Sequence, residues 1–230
     1  MAMPLDLRSV SRLDLPYSNL VLTGFLGVGK STVGRTIAQG LGVDLFDVDE
    51  EIELRELMSI ARVRELFGDT HLRTLEHDFC RQAALMRRAV VVVSGAALLD
   101  ERNFSLLTST GQVVVLTCEL GEALRRLHLA NEQQFRDRTT RRRLLGRLRR
   151  EYAVVKDARL LQMDTTHLTV EEEAELLVRL WINGQPEGKH FRYGPPPPIT
   201  PPPKAPLGLS SRRRPDGQEQ GGTPSRSAPA

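Results

Sequence analysis

The chain has 230 residues, 40% hydrophobic and 27% charged, which gives one globular domain room for a core and leaves length for a tail. No apolar run approaches the roughly 18–20 residues of a membrane span, and the opening MAMPLDLRSVSRLDLP lacks the apolar centre of a secretory signal, so the expected location is cytoplasmic with no membrane partner. The net charge of +3 sits at the C-terminal end, where residues 185–230 carry seven Lys/Arg against three Asp/Glu; residues 1–184 hold 25 basic and 26 acidic side chains, and no whole-domain attraction to nucleic acid is expected.

From Ser18 onward the pattern alternates strand and helix. Asn19–Gly24 reads as a short buried strand, and the next residues, Gly24-Phe-Leu-Gly-Val-Gly29-Lys30-Ser31-Thr32, fit GxxxxGK[ST] at a strand-to-helix junction. Glycines let such a loop curl until several N–H groups converge on one anion. The helix that starts near Lys30 adds the positive end of its dipole. Lys30 is placed to reach the β- and γ-phosphates, and the Ser31 hydroxyl to take a Mg²⁺ coordination position. Gly24, Gly27, Val28, Gly29, Lys30, Ser31 and Thr32 are therefore predicted to bind a nucleoside triphosphate, ATP with Mg²⁺.

STVGRTIAQGLG is predicted as a helix closed by glycine, and VDLFDVD as a second strand. Residues 50–86 read as helical, with Ser59 a candidate N-cap. AVVVVSG is apolar throughout, as in strands buried on both faces of a parallel sheet. A helix near Leu99–Ser109, the strand QVVVLT and a helix near Leu120–Ala130 follow. Eight arginines crowd Arg136–Arg150. The last helix opens with Thr169 and Glu172 in capping-box spacing and runs to Trp181. Such alternation predicts an α/β domain with a parallel sheet. Twelve of the fourteen prolines lie at or after Pro186. The segment 185–230 is expected to be a disordered, Pro-rich basic tail, solvated or read by a Pro-binding module. The division expected is thus an extension over 1–17, a domain over 18–184 and this tail.

Asp47 and Asp49 are two apart at the carboxyl end of a predicted strand, so their side chains leave on one face where open α/β sheets bind ligands. An acidic helix start is the alternative reading of FDVDEEIE. Arg73 offers a bidentate partner for a carboxylate, or an ion pair with Glu76. Cys80 and Cys118 read as small core residues, and the five histidines show no zinc spacing. The arginine run suits a helix along nucleic-acid phosphates or a mobile lid over a triphosphate, and the lack of interleaved aromatics favours the lid.

GFLGVGKSTVGRTIAQGLGVDLFDVDEEIE resembles the N-terminal third of shikimate kinases, and the resemblance extends over roughly Asn19–Trp181. It implies a three-layer P-loop kinase with a five-stranded parallel sheet, order 2-3-1-4-5, and an Arg-rich lid. The activity it implies is ATP-dependent phosphorylation of a hydroxyl of a small cyclic carboxylate, shikimate to shikimate 3-phosphate in aromatic amino-acid biosynthesis, by a monomer. It further implies that Asp47 helps hold Mg²⁺ and that Asp49 binds acceptor hydroxyls and acts as base. Arg73, Gly95, Ala96 and Arg149 would line the acceptor site, and Arg136 or Arg138 would close on ATP. The chain departs from the family pattern in two places. Ser94-Gly95-Ala96-Ala97 stands where the family has three glycines, and a short, proline-free lid leaves Arg149 one residue too near Tyr152. An Ala96 forced to φ > 0 would be strained by about 1–2 kcal/mol. A nucleotide-binding module without catalysis, and a kinase for another acceptor, are the competing expectations.

Overall fold

A computed structural model describes residues 6–130 and 137–184; Arg136 and the Pro-rich segment lie outside them. Five strands form the sheet: β1 (Asn19–Gly24), β2 (Leu45–Asp47), β3 (Val90–Val92), β4 (Gly111–Thr117) and β5 (Leu161–Asp164). Their order is β2-β3-β1-β4-β5, and every adjacent pair is parallel. β1 and β3 are buried at every residue, the outcome expected for apolar strands with helices on both sides. The register sets Gly24 beside Leu116 and Asp47 beside Val92. The carboxyl ends of β1 and β2 therefore open at one edge, where the site forms.

α1 (Lys30–Leu41) starts from Gly29 and stops at Gly42, both in left-handed conformation, and the closing glycine is the one the sequence predicted. It packs on β3 and on α8 (Val170–Asn183), whose first turn carries the expected capping box between Thr169 and Glu172. Trp181 is buried there and donates its indole N–H to the Ser18 carbonyl, 3.1 Å away.

The predicted helix over 50–86 is two helices. α2 (Val48–Glu56) ends where Leu57 turns to φ 54°, and α3 (Ile60–Ala83) begins from Ser59, whose hydroxyl accepts the Arg62 amide. Gly68, at φ 82°, breaks the helical path inside α3. After β3 a four-residue α4 (Gly95–Leu98) precedes α5 (Glu101–Thr110). α6 (Leu120–Ala130) follows β4, and α7 (Arg138–Glu151) leads through a 3₁₀ turn at Tyr152–Lys156 into β5, the strand that the sequence pattern alone did not locate. Cys80 and Cys118 are buried free thiols, as expected of small core residues. Among the described residues no helix is long and apolar enough to cross a membrane.

Candidate active site

β1 delivers the chain into the phosphate loop at Gly24. This residue has φ +142°, and a Cβ there would clash with the Leu116 carbonyl oxygen, so only glycine lets the strand turn beside β4. Within the loop the Val28 amide reaches the Phe25 carbonyl at 3.4 Å, whereas the first-turn amides of α1 have no intrahelical acceptor. Gly27, Gly29, Lys30, Ser31 and Thr32 border a cavity of about 730 Å³ that continues to Asp47, Asp49 and Arg147. Gly24 and Val28 shape the loop from beneath it, both buried.

Lys30 runs back under the loop, where its Nζ donates to the Phe25 carbonyl at 3.1 Å and lies 4.0 Å from Glu151 Oε2. Burial lowers its pKa, and the Glu151 carboxylate opposes that shift. Ser31 Oγ donates to Asp47 Oδ2 at 2.6 Å. Burial raises the Asp47 pKa, and the Ser31 hydrogen bond works against it. Ser31 and Asp47 thus present two hard oxygen donors side by side at the cavity edge. That set fits Mg²⁺ carried in with phosphate oxygens and water, since this ion seldom uses an all-protein cage. Among the described residues no cluster of three or more His, Cys, Asp or Glu could bind a metal alone.

The acidic pair opens a helix, the alternative reading of FDVDEEIE. Asp47 caps α2, its Oδ1 accepting the Asp49 amide at 3.1 Å. Asp49 belongs to the first helical turn instead of the strand, yet both border the cavity. Asp49 Oδ2 accepts from Arg147 Nη2, and Arg147 Nε donates to Glu151 Oε1 at 2.6 Å. Burial works against the charge on Arg147, but the two carboxylates outweigh it and the guanidinium is held more firmly protonated than usual.

Beyond Asp49 the space narrows to a crevice of about 10 Å³ among Arg64, Glu76, Ala96, Arg147 and Glu151. Burial pushes the Glu76 pKa to about 7, with the Asp49 charge adding to the rise. Gly95 packs against the backbone of Glu151. Ala96 borders the crevice, and neither it nor Ala97 has positive φ. The strain anticipated at Ala96 is absent because the segment folds as a helical turn capped by Ser94, whose hydroxyl accepts the Ala97 amide at 3.1 Å.

Three predicted residues, Arg73, Arg138 and Arg149, are not brought to this place. Arg73 is exposed and does not border the cavity or the crevice, because α3 turns Leu72, Leu75, Glu76 and Phe79 inward and Arg73 falls outside that stripe. Arg149 is exposed on the outer stripe of α7 with Arg138, Arg141 and Arg142. Residues two apart on a helix point about 200° apart, so Arg149 and Arg147 cannot share a face, and Arg147 is the one that faces Asp49. Sequence reasoning also missed Arg126. This side chain donates to the carbonyls of Val28 and Thr165, both at 3.0 Å, and to Glu122 at 2.8 Å. It thereby fixes the outer wall of the phosphate loop to the segment after β5. Hydrogen bonds from Arg125 and Arg126 hold the Glu122 carboxyl at about 2.

A parallel sheet in this order, with a phosphate loop joining its central strand to the first helix, defines a P-loop phosphotransferase of the small-molecule kinase class. The shikimate kinase family profile matches residues 26–180. A shikimate kinase of Geobacter metallireducens is 34% identical over 167 residues, 71% of this chain and 93% of that protein. One of Thermobifida fusca is 34% identical over 159 residues, 69% and 92%. The chain belongs to the shikimate kinase family. A structure of the shikimate kinase of Acinetobacter baumannii in complex with shikimate shares the fold at TM-score 0.62 and 23% identity, covering 76% of this chain and 97% of that one.

Proposed function

We propose that this chain transfers the γ-phosphoryl group of ATP to a hydroxyl of shikimate, giving shikimate 3-phosphate and ADP. The observation that carries the reading is one continuous cavity lined by Lys30 and Ser31 together with Asp49 and Arg147. Phosphoryl transfer needs the two substrates aligned and their charge offset more than it needs covalent chemistry from the protein. Loop amides and Lys30 take the β- and γ-phosphates. Ser31 and Asp47 would hold Mg²⁺, which would offset phosphate charge. Asp49 accepts the proton of the attacking hydroxyl. Arg147, in place of Arg149, pairs with the acceptor carboxylate, while Gly95 and Ala96 form the floor beside it.

The Asp49–Arg147 pair occupies the position where acceptor groups would bind, so an entering carboxylate takes Arg147 and leaves Asp49 to the hydroxyl. ADP release coupled to NADH oxidation tests the reading. Shikimate-dependent turnover is expected, and Asp49→Ala should reduce it by roughly 10²–10⁴-fold with ADP affinity within a few-fold of the parent. Turnover with other hydroxylated acids but not with shikimate would favour a kinase for a different acceptor, the reading that exposed Arg73 and the Ala96 floor support. Nucleotide binding without turnover of any acid would favour a binding module.

A further inference from the structure

Glu151 has no part in the roles assigned above, yet it is among the most enclosed charged side chains of the site, 2% exposed. Its Oε1 accepts from Arg147 Nε one helical turn away. Its Oε2 has no hydrogen-bond partner among the described residues and lies 4.0 Å from Lys30 Nζ. An acidic residue at the last position of a helix meets the negative end of the dipole, and a buried carboxylate loses its hydration. Helix stability therefore does not account for a glutamate here; its two cationic neighbours do.

We propose that Glu151 is a positioning residue that holds the Arg147 guanidinium toward the acceptor pocket and balances the charge of Lys30 beside it. Arg147 is fixed at two nitrogens, by Asp49 on Nη2 and by Glu151 on Nε. When an acceptor hydroxyl engages Asp49, Glu151 is the contact that remains, and it keeps an otherwise long and pliant side chain in place. The backbone under Glu151 is itself pinned, since its carbonyl oxygen lies 2.5 Å from where a Cβ on Gly95 would stand. The alternation Asp49, Arg147, Glu151, Lys30 joins acceptor side to phosphate side through one helix, and removing one carboxylate unbalances both ends.

This inference rests on the kinase reading, and steady-state kinetics with shikimate and ATP separates the two. No shikimate turnover by the parent protein would remove the kinase reading. With turnover present, Glu151→Gln, close in shape but uncharged, is expected to raise the KM for shikimate about tenfold. The KM for ATP should stay the same or fall, because phosphates no longer compete with a carboxylate for Lys30. Glu151→Ala should raise the shikimate KM further, with circular dichroism checking that it folds. An unchanged shikimate KM in Glu151→Gln would overturn the proposal. So would a lower kcat with both KM values unchanged, the mark of a smaller folded fraction.

Discussion

Gly95→Ala is a small change with an outcome that the packing dictates. The added Cβ would stand 2.5 Å from the Glu151 carbonyl oxygen, 2.8 Å from Val154 Cγ1 and 3.1 Å from the Gly24 carbonyl oxygen. Two of those three neighbours are backbone, so no side chain can swing aside to make room. Bringing the shortest contact from 2.5 Å to an ordinary 3.4 Å requires a shift of about 0.9 Å between α4 and the end of α7. Overpacking of this kind destabilises by about 1–3 kcal/mol, or roughly 2–12 °C in Tm for a domain of this size. The shift also moves Glu151, and with it the anchor of Arg147, and a misplacement near 1 Å can reduce a rate by the order of 10². Differential scanning calorimetry and the coupled assay together read both effects. The expected variant melts earlier and loses roughly ten- to a hundredfold in kcat/KM for the acceptor, with nucleotide affinity nearly kept. A Gly95→Ala protein with the parent's Tm and acceptor KM would refute the claim that Glu151 is held from below by this glycine.

Two further outcomes follow from other residues. Lys30→Met removes the ammonium under the phosphate loop while filling its space, and ATP affinity measured by calorimetry should drop by at least about a hundredfold, since a buried charge-assisted contact is lost; affinity within a few-fold of the parent would count against the loop assignment. Glu173, buried on α8 with Arg126 Nη1 at 3.9 Å, has its pKa raised by burial from 4.5 to about 7. Between those values the folded chain keeps a proton that the unfolded chain releases, so stability is present below pH 4.5 and declines as pH rises toward 7. Glu173→Gln should remove that decline, gaining up to about 3 kcal/mol over the parent at pH 8 relative to pH 4 in denaturant titrations, and equal differences at the two pH values would contradict the burial argument.

Most of the fold was legible because its signals are local. The apolar run of β3 and the Leu20–Leu22 centre of β1 follow from burial on both faces, and Gly42, Ser59 and Thr169 mark helix ends through capping chemistry available within a few residues. What escaped was decided at longer range. The break at Leu57 carries no glycine or proline. It arises where Ile60 is drawn into the core and its amide is taken by Glu53 at 2.9 Å, seven residues earlier. β5 contains Gln162, whose side-chain amide donates to the Val155 carbonyl at 2.7 Å, so its sequence does not read as a buried parallel strand.

The site divides in the same way, and α7 shows why. The phosphate loop is a contiguous motif whose function follows from nine adjacent residues, whereas the acceptor side is assembled from helices that approach from different directions. Counting back from Tyr152 selected Arg149, but distance along the chain does not fix direction around a helix. The phase of α7 does: Leu144, Leu148 and Glu151 stand at i, i+4 and i+7, with Leu148 and Glu151 buried. Arg147 falls on that same face, three residues after Leu144 and four before Glu151, while Arg138, Arg141, Arg142 and Arg149 repeat on the opposite one. In a helix this rich in arginine the apolar residues are the scarcer markers. They single out the one arginine that the fold turns inward, and they place a glutamate beside it that a search for cations alone passes over.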